Sequence, residues 1–351
     1  MSGGVDSSVA ALLLKEQGFD VQALFMKNWN ETATDGSCLW ETDVRDAMDV
    51  CDRLGIAINT IDLSEEYWHG VFAGFLREYG AGRTPNPDVL CNQEVKFKAF
   101  LNQALGRSAD FLATGHYARI VERDGIRSLL KGTDANKDQS YFLCRLTQAQ
   151  LRRSLFPVGD LLKTDVRKLA ARAGLETHDK KDSTGICFVG ERPFRDFLSR
   201  FLPARPGEIR SSDGRVLGEH DGVHFYTVGQ RQGLGIGGVS GQGEGAWYIA
   251  RKDPAENTLI VVQGHEHPLL LSRRLNASAV HWLGAAPDVP LRCTAKVRYR
   301  QPDQGCVIES AGADRVTAVF DEPQRAVAPG QYAVFYDGDA CLGSAVIDSV
   351  Q

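Results

Sequence analysis

The sequence predicts an α/β fold, a doubly wound parallel sheet at the N-terminus, followed by a small β domain and a C-terminal β-barrel. Three observations carry this reading. The first 120 or so residues alternate between helical and strand periodicity, the pattern of a parallel sheet wrapped by helices. From Pro203 onward helical periodicity stops, and short alternating runs punctuated by glycine take over. The length of 351 residues exceeds what one hydrophobic core usually serves. Domains are therefore expected at 1–202, 203–268 and 269–351.

The elements follow in order. Ser2-Gly3-Gly4-Val5-Asp6-Ser7-Ser8 is a glycine-rich turn that runs straight into an apolar helix, stopped at Gly18. A short buried strand is expected over 21–26. A helix follows over 42–54, with Val44, Ala47, Met48, Cys51 and Leu54 at helical spacing and Gly55 just past its end. Residues 56–63 read as the next strand, and Ser64 caps a helix carrying Tyr67, Trp68, Val71, Phe72, Phe75 and Leu76. A Gly/Pro loop over 80–87 leads to Cys91 and a helix over about 92–105, and residues 110–114 form a strand ending at Gly115-His116-Tyr117. Residues 164–174 make a basic amphipathic helix, and a last helix covers 193–201.

In the β half, Asp213-Gly214 signals a hairpin. Residues 223–228 alternate, and 247–250 and 258–262 complete the small domain, with 264–268 as a linker. The barrel strands are expected at 276–282, 291–298, 305–309, 316–320, 331–336 and 342–347. A glycine loop like the one at the front normally follows a β-strand. Here the chain begins one residue before the loop, so the sheet is expected to lack its central first strand, through a late-assigned start or a truncation.

Composition narrows the class. Hydrophobic residues make up 43% and charged residues 24%, which is ordinary for a globular protein. No apolar run approaches the roughly 18 residues of a membrane span, so no membrane role is expected. The eight cysteines, at 38, 51, 91, 144, 187, 293, 306 and 341, include no Cys-x-x-Cys pair. That spacing argues against zinc and against a secreted disulfide framework, and points to a reducing compartment, with a cytoplasmic location expected. Net charge is −5, yet residues 137–210 carry 15 Lys/Arg against 9 Asp/Glu. A basic region on an acidic chain suits a phosphate-backbone contact, or simply a solvated helical face.

Three stretches carry chemistry. In the front loop, two glycines, several hydroxyls and a helix N-terminus surround one point, so a phosphate is the natural occupant. The Gly-Lys-Ser/Thr ending of the P-loop is absent. Thr84-Pro85-Asn86-Pro87-Asp88-Val89-Leu90-Cys91-Asn92 places a stiffened cap and a cysteine near the start of a helix, where a thiolate is favoured. A cap followed by a packed cysteine fits the same residues. Lys181-Asp182-Ser183-Thr184-Gly185-Ile186-Cys187-Phe188-Val189-Gly190 sets a second cysteine between glycines beside the basic region.

The loop resembles that of the pyrophosphate-loop ATP pyrophosphatases, whose domains are adenine nucleotide alpha-hydrolase-like. With both cysteine stretches it resembles the bacterial tRNA-specific 2-thiouridylases nearly end to end. Further matching segments are Phe25-Met26-Lys27-Asn28-Trp29, Ala113-Thr114-Gly115-His116-Tyr117, residues 136–143 and 228–235, Gly264-His265-Glu266-His267-Pro268 and Arg298-Tyr299-Arg300-Gln301.

The resemblance implies ATP-dependent 2-thiolation of the wobble uridine of tRNA. It implies that Met1, Ser2, Gly3, Gly4, Val5, Asp6, Ser7, Ser8, Met26 and Gly115 line the ATP site, with Asp6 near the phosphates and Mg²⁺. Asn86, Pro87 and Asp88 would contact the flipped-out uridine, Asp88 handling its proton. Cys91 would be the nucleophile and Cys187 the persulfide carrier. His116, Lys137, Asp138, Gln139, Arg298, Tyr299, Arg300, Gln301 and Gln331 would contact tRNA. No resident metal site is expected. Implied partners are lysine, glutamate and glutamine tRNAs and a sulfur donor, either a cysteine desulfurase or a sulfur-relay protein, acting on a monomer. Rival readings are an amidotransferase-linked pyrophosphate-loop synthetase, a 4-thiouridine enzyme, and a non-catalytic tRNA-binding protein that senses ATP or redox state.

Overall fold

The computed structural model describes residues 1–29, 40–182, 194–236 and 245–351. The front loop leads into the helix Val5–Glu16, whose residues Val9, Ala10, Ala11, Leu12 and Leu14 are buried. Helix Glu41–Leu54 packs beside it through Val50 and Leu54, and helix Lys163–Arg172 through Val166 and Ala170. Gly55, in the left-handed region at φ 62°, ends the second helix as its sequence requires.

The parallel strands form two pairs. Strand Ala23–Lys27 pairs with Ile58–Asp62, with Phe25 opposite Thr60, and Leu112–Ala113 pairs with Ser154–Leu155. Among the described residues no ladder joins the two pairs.

Helical residues 64–80 and 87–105 cover one face, and Phe72, Phe75, Val89, Cys91, Val95 and Phe97 fill the core between them. The second of these helices starts at Pro87, five residues ahead of the expected start, because the Asn86 side chain caps it by accepting from the Asp88 and Val89 N–H groups.

Two elements depart from expectation. Residues 223–228 are not a strand: Val223–Phe225 is a single 3-10 turn, and the Tyr226 carbonyl accepts from Lys252 Nζ at 2.6 Å instead of joining a ladder. Residues 118–131 form an unforeseen hairpin, strands Ala118–Arg123 and Ile126–Lys131, turning at Asp124 (φ 51°) and Gly125 (φ 75°). That Asp-Gly pair is a strong hairpin signal. The hairpin leaves the α/β part and extends the C-terminal sheet through Leu130 and Ala340.

The small β domain has four strands in the order Val216–His220, Gly207–Ser211, Thr258–Gln263, Trp247–Asp253, around Ile209, Ile249, Leu259 and Val261. Six strands, Leu271–Trp282, Arg315–Arg325, Gln304–Ala311, Leu291–Lys296, Tyr332–Asp337 and Ala340–Val350, follow one another around a barrel. It closes where the first pairs with the last. Ala318, Phe320, Ala333, Phe335, Ala345 and Ile347 point inward. At the closure Gly343 lies so near its partner strand that a Cβ would sit 2.2 Å from the His281 carbonyl. Gly343→Ala should therefore lower stability by about 1–3 kcal/mol, the usual range for overpacking. Chemical denaturation is the check, and an unchanged midpoint would contradict this account of barrel closure.

Candidate active site

The front loop is held by its own hydroxyls. Ser7 Oγ accepts from the Ser2 N–H at 3.1 Å and donates to the Gly4 carbonyl at 3.1 Å, and Ser8 Oγ donates to the same carbonyl at 2.9 Å. Gly4 is the N-cap residue with no side-chain cap, so the first turn of the helix keeps open N–H groups. Gly3 has φ +72°, and a Cβ there would fall 2.2 Å from the Asp43 carbonyl, so the loop tolerates no side chain at this point. Gly115 meets the loop from the second strand pair: a Cβ would lie 2.6 Å from the Asp6 carbonyl carbon and 2.7 Å from the Ser7 nitrogen. Met26 lies at the carboxyl end of the first strand, half-buried, where ligands of parallel sheets bind.

Asp6 is gripped from two sides. The Tyr117 hydroxyl donates to its Oδ1 at 2.7 Å, and Lys163 Nζ donates to Oδ1 and Oδ2 at 2.7 and 2.8 Å. Burial, reinforced by the Asp6 carboxylate, pushes the Tyr117 phenol far above its ordinary value, which keeps it a donor. Lys163 also meets Asp182 Oδ1 at 2.7 Å, and Asp182 takes Lys137 at 2.6 Å and Arg167 at 3.0 Å. Burial alone would raise the Asp182 pKa, but hydrogen bonds from Lys137 and Lys163 outweigh it and hold the carboxyl at about 2. Lys180 closes the far side, donating to the Gly3 carbonyl at 3.0 Å and to Asp43 at 2.8 Å, with Asp46 its third partner.

The second motif stands on the barrel. Gln331 Nε2 donates to the Thr84 carbonyl at 2.7 Å, and the Thr84 N–H donates to the Pro329 carbonyl at 2.8 Å. This fixes the turn ahead of Asn86, Pro87 and Asp88. Cys91 follows in the same helix with none of its surface exposed. Because the helix starts at Pro87, Cys91 lies past the free N–H groups of the first turn, not among them as its sequence position implies. Here the helix widens to π geometry over Cys91–Phe100, a local irregularity frequent at functional sites.

Several of the residues implied for tRNA lie around this helix. Asn92 Nδ2 donates to the Phe142 carbonyl at 3.1 Å, and the Phe142 ring packs on Tyr299 at 4.3 Å between centroids. The 298–301 turn thus stands over the cysteine helix, with Arg298 and Arg300 exposed. Burial moves the Tyr299 phenol up to about 12. Gln301 is turned inward, accepting from the Val297 N–H at 3.0 Å and donating to Gln324 at 2.6 Å. Asp138 is also committed: its Oδ1 accepts from the Gly132 and Ser140 N–H groups, and its Oδ2 faces Lys296 at 3.3 Å. Gln139 Oε1 accepts from the Tyr117 N–H at 3.0 Å. His116 shares a hydrogen bond with Thr114 at 2.7 Å, and its ring is tilted toward Phe97 and edge-on to Phe156; burial, then Lys96, lowers its pKa well below 6.5, so it is neutral at physiological pH. Cys187 lies outside the described residues.

Sequence reading missed Lys163, Tyr117, Asp182 and Lys180 as site residues. Two of them, Tyr117 and Asp182, stand inside motif segments singled out on other grounds, but no spacing links Lys163 to a carboxylate 157 positions away.

Known proteins divide the chain in a similar way. A tRNA methyl transferase HUP domain model matches residues 1–191, a tRNA methyl transferase PRC-barrel domain model matches 195–263, and an aminomethyltransferase beta-barrel domain model matches 272–347. The chain is 56% identical to a protein of Alcanivorax borkumensis over 99% of its own length and 96% of the relative's. It is 58% identical to one of Methylococcus capsulatus, covering 99% and 95%, and 55% identical to one of Geobacillus thermodenitrificans, covering 100% and 94%. All three relatives carry the name tRNA-specific 2-thiouridylase MnmA.

Asp182 yields a pH prediction. Its folded pKa of about 2 lies below the ordinary aspartate value of about 3.9, so its stabilisation is fully present above about pH 4. That stabilisation is lost as pH falls through about 2. Asp182→Asn should lower the melting temperature near neutrality and flatten its decline between about pH 4 and 2. Melting curves across that range are the measurement, and an acid limb identical to the wild type would refute the assignment.

Proposed function

The chain belongs to the family of tRNA-specific 2-thiouridylases, and from that membership we propose how its own residues carry out the thiolation. The enzyme is a tRNA-uridine 2-sulfurtransferase that consumes ATP. The observation that supports our site assignment best is the glycine loop's Asp6 gripped by Lys163, with the capped Asn86–Cys91 turn held in its own right by Gln331.

ATP is the substrate of the loop. The open N–H groups of the first helical turn and the Ser2 and Ser7 hydroxyls receive its phosphates, and Gly115 keeps the approach clear. The C2 carbonyl of uracil is a poor electrophile because its oxygen does not leave. Attack of that oxygen on the α-phosphorus releases pyrophosphate and leaves an O-adenylated base, whose leaving group is AMP. Lys163 and the loop amides face the charge that builds on the departing pyrophosphate.

Mg²⁺ suits this donor set, since the ion is commonly held by one or two carboxylates together with substrate phosphates, and Asp6 is the loop's carboxylate. When bound it would neutralise phosphate charge.

The sulfur step uses both cysteines. The terminal sulfur of a persulfide on Cys187 adds to C2, AMP departs, and the Cys91 thiolate attacks Cys187 Sγ. The sulfane sulfur is reduced as it leaves, the two thiols are oxidised to a Cys91–Cys187 disulfide, and a reductant reopens it. Asp88, beside the capping Asn86, handles the proton of the uracil. The acceptor is the wobble base at position 34, which a single-stranded loop presents at low unstacking cost. Lysine, glutamate and glutamine tRNAs, a monomeric enzyme, a cytoplasmic location, and a desulfurase or relay protein as sulfur donor complete the proposal. Among the described residues no helix is long and apolar enough to cross a membrane.

Two measurements test it. In a thiolation assay with ATP, tRNA and a sulfur donor, Cys91→Ser and Cys187→Ser should each abolish 2-thiouridine, and full activity in either would sink the two-cysteine scheme. Lys163→Met should reduce pyrophosphate release by about 100-fold, the scale of removing one charge-stabilising donor, while tRNA binding persists. Release of orthophosphate and ADP by the wild type would contradict adenylation.

A further inference from the structure

Two buried thiols face each other inside the barrel. Strands Leu291–Lys296 and Gln304–Ala311 run antiparallel, and their register sets Cys293 directly opposite Cys306. The sulfur atoms stand 3.6 Å apart, on residues 13 positions from each other in the chain. Directly opposed residues of an antiparallel pair have Cα atoms about 4.5 or 5.5 Å apart, according to whether the pair is hydrogen-bonded. Both spacings lie within the roughly 4.4–6.8 Å that a disulfide spans. The backbone thus already holds a cross-strand disulfide geometry, and about 1.5 Å between the sulfurs is left for side-chain rotation to close.

The two thiols are not equivalent. Cys306 is fully buried opposite Phe320 of the next strand, whereas 7% of Cys293 reaches the surface. A hydrogen bond from the Cys306 thiol pulls the Cys293 pKa below its ordinary value and pushes that of Cys306 up. Arg292 reinforces the first effect and Asp321 the second. These two side chains form a bidentate pair on the outer face, at 2.6 and 2.5 Å, over Gly305, where a Cβ would sit 2.2 Å from Asp321 Oδ2. Cys293 is therefore the accessible thiol that ionises first, and Cys306 is the partner held ready behind it.

We propose that Cys293 and Cys306 form a redox modification site of the barrel, which a hydroperoxide converts into a cross-strand disulfide. The Cys293 thiolate attacks a peroxide oxygen, the O–O bond breaks, and the departing alkoxide or hydroxide takes up a proton. Cys306 then attacks the Cys293 sulfenic acid, and its proton leaves with the hydroxyl as water. The two thiols lose two electrons and the peroxide gains them; a thiol reductant reverses the bond. In a reducing compartment the pair rests as thiols and closes only when oxidant arrives. The site is separate from Cys91 and Cys187 and does not rest on the thiolation reading. Its strands run into and out of the 297–303 turn, so the disulfide would tie the base of that turn.

The test treats the folded full-length chain with hydrogen peroxide, caps free thiols by alkylation, and maps the unreduced digest by mass spectrometry. A peptide pair joined through Cys293 and Cys306 should appear, and should vanish on treatment with dithiothreitol. In Cys306→Ala the Cys293 sulfenic acid has no partner and should be captured by a dimedone-type probe. In Cys293→Ala the Cys306 thiol should stay reduced. The cross-link closes a loop in the unfolded chain, so oxidised wild type should melt above its reduced form by a margin that Cys306→Ala lacks.

Absence of the joined peptide from folded wild type would overturn the proposal, and so would its appearance only after unfolding in urea. Oxidation of Cys306 in Cys293→Ala would overturn the assigned roles. A melting temperature that fails to rise when the pair is joined would show that the barrel must distort to make the bond, contrary to the register. Wild-type mapping needs no substitution, so a variant that does not fold leaves the decision intact.

Discussion

The Asp6 carboxylate sits at the N-terminus of the first helix, where the exposed N–H groups already favour negative charge. Lys163 supplies a full counter-charge at 2.7 and 2.8 Å, and the Tyr117 hydroxyl fixes the remaining freedom of Oδ1. Lys163 is itself shared with Asp182, which gathers Lys137 and Arg167. Three cations, Lys163, Lys137 and Arg167, thus share the two carboxylates Asp6 and Asp182, which leaves the network beside the glycine loop with a net positive charge. On the proposed assignment, phosphates entering the loop meet a lysine already in place, so little has to be reorganised as charge develops.

The barrel holds the turn ahead of the Asn86–Cys91 motif in place. The backbone of 329–331 and the Gln331 amide hold the Thr84–Pro85 carbonyls, Tyr299 packs on Phe142, and Lys296 pairs with the buried Asp138. Through the hairpin at 118–131 the α/β part also extends the barrel sheet directly. A barrel that shifted would carry the capped Asn86–Cys91 turn with it. Residues implied for tRNA therefore divide into two kinds. Arg298 and Arg300 are exposed, whereas Asp138, Gln139, Gln301 and Gln331 have side chains bonded within the fold.

Much of the architecture was legible because it is local. Helix periodicity over 42–54 and 164–174, the glycine stop at 55 and the alternating barrel runs all depend on neighbours within a few residues. The errors came from the same source. The 223–228 alternation imitates a strand, but a lysine side chain takes the carbonyl that a ladder would need. The cysteine helix begins earlier than its sequence suggests because Asn86 and Pro87 resemble loop residues, and only the cap geometry shows them to be its beginning.

By itself the sequence determined the glycine loop, the two cysteine motifs, the three-part run of elements and the family. Each of these is a pattern of residue type at short spacing, and such patterns follow from backbone sterics and side-chain periodicity alone. Only the tertiary structure decided that Lys163 holds Asp6, that Asp182 collects the cations, and that Gln331 carries the motif turn. Those are contacts between charges or amides far apart in the chain. One lysine or arginine among 40 carries no local mark of its partner, and the choice is made by which surfaces the packed core brings together.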